Sequence, residues 1–229
     1  MRAARLMTCC LLLFSCAFAQ RLPLVAPPDQ EGPSDSPLIR ALVKGDKALA
    51  RQLVEVGEPL NRKDRWGSTP LVVAISMHHS DFAEFLVQKG ADVNLTAGGE
   101  ESPLKVAAGS CDLRVARLLL EQGAKVNYGD QHGVTPLSSA AGACKDRDLI
   151  KLLITSGAEI NTRYKYGTTP LMAASSNRNL PAVQELLRAG ADVTARNDKG
   201  ETAEDQACRR GGEDYSRICT LLRKAKREK

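Results

Sequence analysis

The chain has 229 residues, 43% of them hydrophobic and 26% charged, with a formal net charge of +5 and only 4% aromatics. That is enough for one large or two small domains with a true core. So mild a charge gives no case for nucleic-acid binding, and the shortage of aromatic bulk argues against a β-sandwich.

The first segment reads as a leader. MRAAR carries two positive charges, Leu6 to Phe18 is apolar apart from Thr8 and Ser15, and Ala17-Phe18-Ala19 precedes Gln20. A basic start, a short apolar core and an A-x-A end are the parts of an export signal, so residues 1–19 are expected to be a signal peptide. The apolar run is too short to span a bilayer as a helix. Leu13-Phe14-Ser15-Cys16 offers a second exit, because it resembles a lipobox in which Cys16 would be lipidated; Phe14 departs from the usual small or aliphatic residue. The membrane is then a partner only if Cys16 carries a lipid. Cleavage after Ala19 removes Arg2 and Arg5 and no acid, leaving 30 − 27 = +3. Residues 20–35 follow as a linker: five of the eleven prolines fall in QRLPLVAPPDQEGPSDSP, which is polar and lacks periodicity.

From there the chain repeats. Pro37, Pro70, Pro103, Pro136 and Pro170 are separated by 33, 33, 33 and 34 residues, and a further 33 leads to Ala203. Gly57, Gly90, Gly123, Gly157 and Gly190 keep gaps of 33, 33, 34 and 33. Two independent markers on one period make a repeat array. Within each unit Thr-Pro opens a short helix, since the hydroxyl caps it and proline suits its first turn. A second helix with leucines at helical spacing follows, and the glycine stops it. A hairpin-like loop then leads to the next Thr-Pro-Leu.

GSTPLVVAISMHHSDFAEFLVQKGADVN (67–94) and GTTPLMAASSNRNLPAVQELLRAGADV (167–193) resemble ankyrin repeats in the TPL, the AA pair and the GADVN ending. The likeness covers about residues 36–224. It implies an all-α solenoid of about six helix-turn-helix repeats, at about 36–66, 67–99, 100–132, 133–166, 167–199 and 200–229. It also implies a module that binds other proteins through hairpin tips and inner helices. The usual histidine after TPL is absent; Val72, Lys105, Ser138 and Met172 stand there. The first unit lacks a preceding hairpin, and the last has Ala203 for proline and ends in RKAKREK, as terminal caps should.

Catalysis finds little support. G-x-S-x-G, phosphate-cradling glycine loops, H-E-x-x-H and C-x-x-C are all missing, and a one-layer solenoid offers few pockets. No cofactor or metal motif is present. His78, Cys111 and Cys144 share one register, but three successive repeats are too far apart for one tetrahedral ion.

Four cysteines outlast the leader. Cys111 lies eight residues after Pro103 and Cys144 eight after Pro136, in the same inter-helix turn of adjacent repeats. Regular stacking holds such turns slightly too far apart for a disulfide. The extra residue of the fourth unit, placed just after Cys144, would let them lean together; free turn cysteines are the alternative. Cys208 and Cys219 form a second candidate pair across the last two helices, with small buried thiols as the alternative.

The hairpin tips are the candidate binding surface. Arg65-Trp66, Gln131-His132 and Lys165-Tyr166 stand just before the hairpin glycines, and Trp, Tyr and Arg dominate interface energies. The tip AGGEES has lost both bulk and hairpin glycine, which predicts a break or a flexible point in the ladder. Met77 marks the inner helices as the other candidate face, with Ser110, Ala143 and Asn177. The basic C-terminus reads as a solvated last turn or as a contact for anionic headgroups. Asn94-Leu95-Thr96 is a glycosylation sequon for a eukaryotic host. The expectation is an exported, periplasmic or secreted, non-enzymatic scaffold, monomeric, with one protein partner. The rivals are an envelope lipoprotein with a tethering role and a chaperone or inhibitor of one exported enzyme.

Overall fold

The computed structural model describes residues 36–228; the leader, Cys16 and the linker lie outside them. Among the described residues twelve α-helices form six antiparallel pairs. The inner row is α1 (Pro37–Val43), α3 (Pro70–Ser76), α5 (Pro103–Gly109), α7 (Pro136–Ala143), α9 (Pro170–Ser176) and α11 (Ala203–Cys208). The outer row is α2 (Lys47–Glu55), α4 (Ser80–Gln88), α6 (Leu113–Glu121), α8 (Arg147–Thr155), α10 (Leu180–Arg188) and α12 (Glu213–Arg227). Each inner helix packs on the next, so the rows form a solenoid. Among the described residues no helix is long and apolar enough to cross a membrane.

The repeated tripeptide sets each inner helix. The Thr69, Thr135 and Thr169 hydroxyls accept the N–H of Val72, Ser138 and Met172, and Ser102 accepts that of Lys105. Proline follows at the first turn, where its missing N–H breaks no helical bond. The next leucine, whether Leu38, Leu71, Leu104, Leu137 or Leu171, is at most 1% exposed. Three residues on, Ala41, Ala74, Ala107, Ala140 and Ala174 are equally buried, and their small size lets inner helices approach closely. Outer helices end at a glycine with positive φ, 94° at Gly90 and 81° at Gly123, a conformation side chains resist.

The fourth unit departs from the rule, and in a different place from the one the spacing suggested. Eight residues after proline, His78, Cys111 and Arg178 take positive φ (56°, 62° and 55°). Cys144 instead is extended, at φ −105° and ψ 123°. The extra residue therefore enters the helix rather than the turn behind Cys144: α7 has eight residues where α5 has seven. Cys144 leaves that longer helix pointing inward and fully buried. Its Cα lies 5.0 Å from that of Cys111, with the sulfurs within bonding distance. In the last unit the Cα atoms of Cys208 and Cys219 are 5.4 Å apart, again with the sulfurs in bonding range.

The C-terminal pair closes the stack. Tyr215, Ile218 and Leu222 of α12 are buried. Arg223 and Lys226 reach back to Glu204 of α11, so part of the basic end is neutralised within the cap.

Candidate functional site

Five tight turns join the pairs and project as tips: 64–68, 97–101, 130–134, 164–168 and 197–201. Each is closed by a backbone bond from its first N–H to its last carbonyl, as from Asp64 N–H to Ser68 O (2.9 Å) and from Ala97 N–H to Glu101 O (2.9 Å), and a second backbone bond lies within it. In three of them the first side chain organises the turn. Asp64 accepts from Trp66 and Ser68, Asp130 from His132 and Val134, and Asn197 from Lys199 and Glu201. Tyr164 holds this place in the fourth tip, and burial pushes its phenol well above the usual tyrosine range.

The tip AGGEES keeps the same closure, and the ladder is interrupted there as expected: among the described residues no backbone bond ties it to the tips on either side. Glu100 takes the left-handed φ of 62° that a hairpin glycine takes elsewhere. Gly98 answers a close approach, since a Cβ there would collide with the Trp66 carbonyl, and Gly99 takes a positive φ of 73°. Bulk is missing there because the preceding tip occupies the space.

The predicted aromatics do stand on tips. Tyr166 is 66% exposed, with the Lys165 ammonium 5.1 Å from its ring. Trp66 is half-buried, with the Arg65 guanidinium 4.0 Å over its ring, so it packs partly on its own neighbour. Gln131 and His132 are exposed. Backbone bonds from Lys165 N–H to His132 O and from Asp198 N–H to Tyr166 O tie the last three tips into one ladder. Trp66 is separated from that ladder by the glycine tip. Met77, at the end of α3, is half-buried against the core, whereas Ala143 and Asn177 at its register are exposed.

Several side chains carry more than the sequence suggested. Lys105, standing where TPL is usually followed by histidine, is buried and bonds Glu101 (2.7 Å) and Asp130 (2.5 Å). Burial alone would raise the Asp130 pKa; the Lys105 ammonium and two backbone N–H groups outweigh it and hold the carboxyl below its ordinary range. Asn179, fully buried, donates to the carbonyls of Ala141 (2.9 Å) and Cys144 (2.6 Å) and pins the irregular turn. Asn94, the sequon asparagine, donates its amide to Gly123 O and accepts from Lys125 N–H. Asn127 does the same one repeat later. The sequon side chain is thus already part of the stack.

A family model described as "Ankyrin repeats (3 copies)" matches residues 1–97, 95–164 and 139–228. The chain belongs to the ankyrin-repeat family. No curated protein matches it. Ankyrin repeats are protein–protein interaction modules, typically without catalysis. The tips and inner helices of this ankyrin stack are therefore its candidate binding surface. Among the described residues no cluster of three or more metal-ligating side chains occurs.

Proposed function

We propose that this ankyrin protein is a non-enzymatic scaffold acting outside the cytoplasm, where it holds one protein partner against its hairpin tips. The observation that carries the reading is the Lys165-Tyr166 tip, where a large aromatic ring stands exposed with a cation beside it. Exposed aromatics do little for a stack and much for an interface. Arg65-Trp66 and Gln131-His132 extend the surface, and Met77 marks the inner helices as a second contact region at the other end of α3. Export is supported by the leader-like residues 1–19 and by two cysteine pairs at bonding distance, because disulfides persist in oxidising compartments. The chain works as a monomer in this reading.

The test is a photoreactive residue at position 66 or 166 in the native compartment. One discrete crosslinked protein supports the reading; equal labelling from a control position on α6 sinks it. Sequencing the mature N-terminus decides the anchoring. Gln20 means a soluble module, and an acylated Cys16 means a tethered one.

A further inference from the structure

The charge of the tips narrows the partner, and this step rests on the tips being the binding face. Carboxylates at the tips turn inward. Asp64 and Asp130 are 8% exposed and accept N–H groups of their own turns, and Lys105 neutralises Asp130 from within. Cations point outward. Lys165 and Lys199 are exposed, and among the described residues neither has a carboxylate partner, while Arg62 and Lys63 stand exposed just before the first tip. Glu100 and Asp198 are the carboxylates that stand exposed on the tips.

Spacing adds shape. The last three tips are one hydrogen-bonded ladder, so Lys165 and Lys199 sit on adjacent rungs, with the Tyr166 ring beside the Lys165 ammonium. Packed helices are about 8–10 Å apart, and an extended chain rises about 3.3 Å per residue, so one rung matches roughly three residues. We infer that the tips take an extended acidic segment of a partner protein, with a carboxylate at about every third residue and an apolar side chain against Tyr166. Charge complementarity of this kind mainly sets the approach rate and the register.

The probe is a pair of labelled dodecapeptides, four Glu-Val-Thr repeats and four Gln-Val-Thr repeats, titrated against the purified protein with amide NMR mapping. The acidic peptide is expected to bind at least about tenfold tighter, and most of that advantage should vanish at about 0.5 M salt, where screening reaches only a few ångströms. Shifts should centre on residues 163–167 and 198–200. Lys165→Glu with Lys199→Glu should remove the advantage; Lys165→Gln with Lys199→Gln, a milder pair, should remove most of it with an unchanged melting temperature. Equal binding of both peptides at the tips overturns the acidic segment and leaves the tip face standing. Shifts centred on the outer helices overturn both. Tighter tip binding by phosphatidylglycerol vesicles or by single-stranded DNA overturns the protein segment in favour of another anion.

Discussion

On the outer helices, cations reach carboxylates of the neighbouring repeat: Lys89 meets Glu55, Arg114 meets Glu84, and Arg147 meets Glu185. On the tips Asp64 and Asp130 are drawn into their turns, and Lys165, Lys199 and Tyr166 are left facing solvent. The same residue types therefore do two jobs. The outer row uses several of its charges for pairs between repeats that serve the stack, whereas the lysines of the tips make no such pairs. Exposure alone does not separate the faces, since both are wet; what separates them is whether charges bridge one repeat to the next.

Both faces rest on one stack, so the harshest test removes its end. Deleting Glu201–Lys229 strips α11 and α12 from α9 and α10 and exposes their apolar face. Solenoid stability is close to a sum over neighbouring repeats, and an uncapped end favours aggregation. The truncated protein should aggregate or melt far lower. A soluble truncation of equal stability would mean the cap lies elsewhere.

The contrast between inward and outward charge can then be measured directly. Asp130→Ala leaves Lys105 buried with only Glu101 and leaves the turn N–H groups of His132 and Val134 without their acceptor. It should destabilise by about 3 kcal/mol in urea unfolding, in the range for breaking a buried pair. Glu84→Ala, at the exposed pair with Arg114, should cost under about 1 kcal/mol. The Asp130 carboxyl titrates below its ordinary value, so its contribution is fully present above about pH 4 and fades as pH falls through the lower folded value. The gap between wild type and Asp130→Ala should therefore shrink in acid. A gap that widens there would reverse the sign and break the argument.

The cysteine pair at the irregular turn comes next. Its members are 33 residues apart, and closing a loop of that length should stabilise by roughly 4 kcal/mol. Reduction should lower the urea midpoint accordingly, and Cys111→Ser with Cys144→Ser should abolish the response to reductant from this pair. Thiols that both alkylate fully without reductant, in protein from its native compartment, would show that the bond is not made.

How much of this was legible beforehand follows from what repeats. Proline, leucine, alanine and glycine recur at one period, so the six pairs, their caps and the tips could be read from spacing. What could not be read are single-copy adjustments between neighbours. Lys105 looked like a mere absence of histidine, because its partner Asp130 lies one tip further on. The interruption of the ladder at Gly98 and Gly99 is legible, but the reason for Gly98 is not, because the Trp66 carbonyl it accommodates lies one repeat back. The extra residue of the fourth unit was seen, but not that it lengthens α7 and turns Cys144 inward. Asn179 gave no signal at all, since an asparagine before a helix reads as a cap, and its grip on Ala141 and Cys144 is visible only in three dimensions. The aromatic tips were legible as positions, and their cation contacts were not.

The smallest expected effects separate tip from stack most sharply. Trp66→Ala should weaken partner binding by about 2 kcal/mol, roughly thirtyfold. Half-buried against Arg65, Trp66 also lends some packing, so its melting temperature should fall by a few degrees at most. Lys165→Ala should cost under about 1 kcal/mol of affinity, act mainly on the association rate, and lose its effect at high salt, because a solvated cation guides approach more than it holds the complex. It should leave the melting temperature unchanged, since Lys165 is exposed and the ladder bond of its tip uses the backbone N–H, which alanine keeps. Calorimetric melts beside surface-based kinetics measure both quantities on the same samples. A large loss of stability from Trp66→Ala with unchanged affinity would make the tryptophan part of the stack. The binding face would then move to the inner helices, where Met77, Ser110, Ala143 and Asn177 share one register at the far end from the tips.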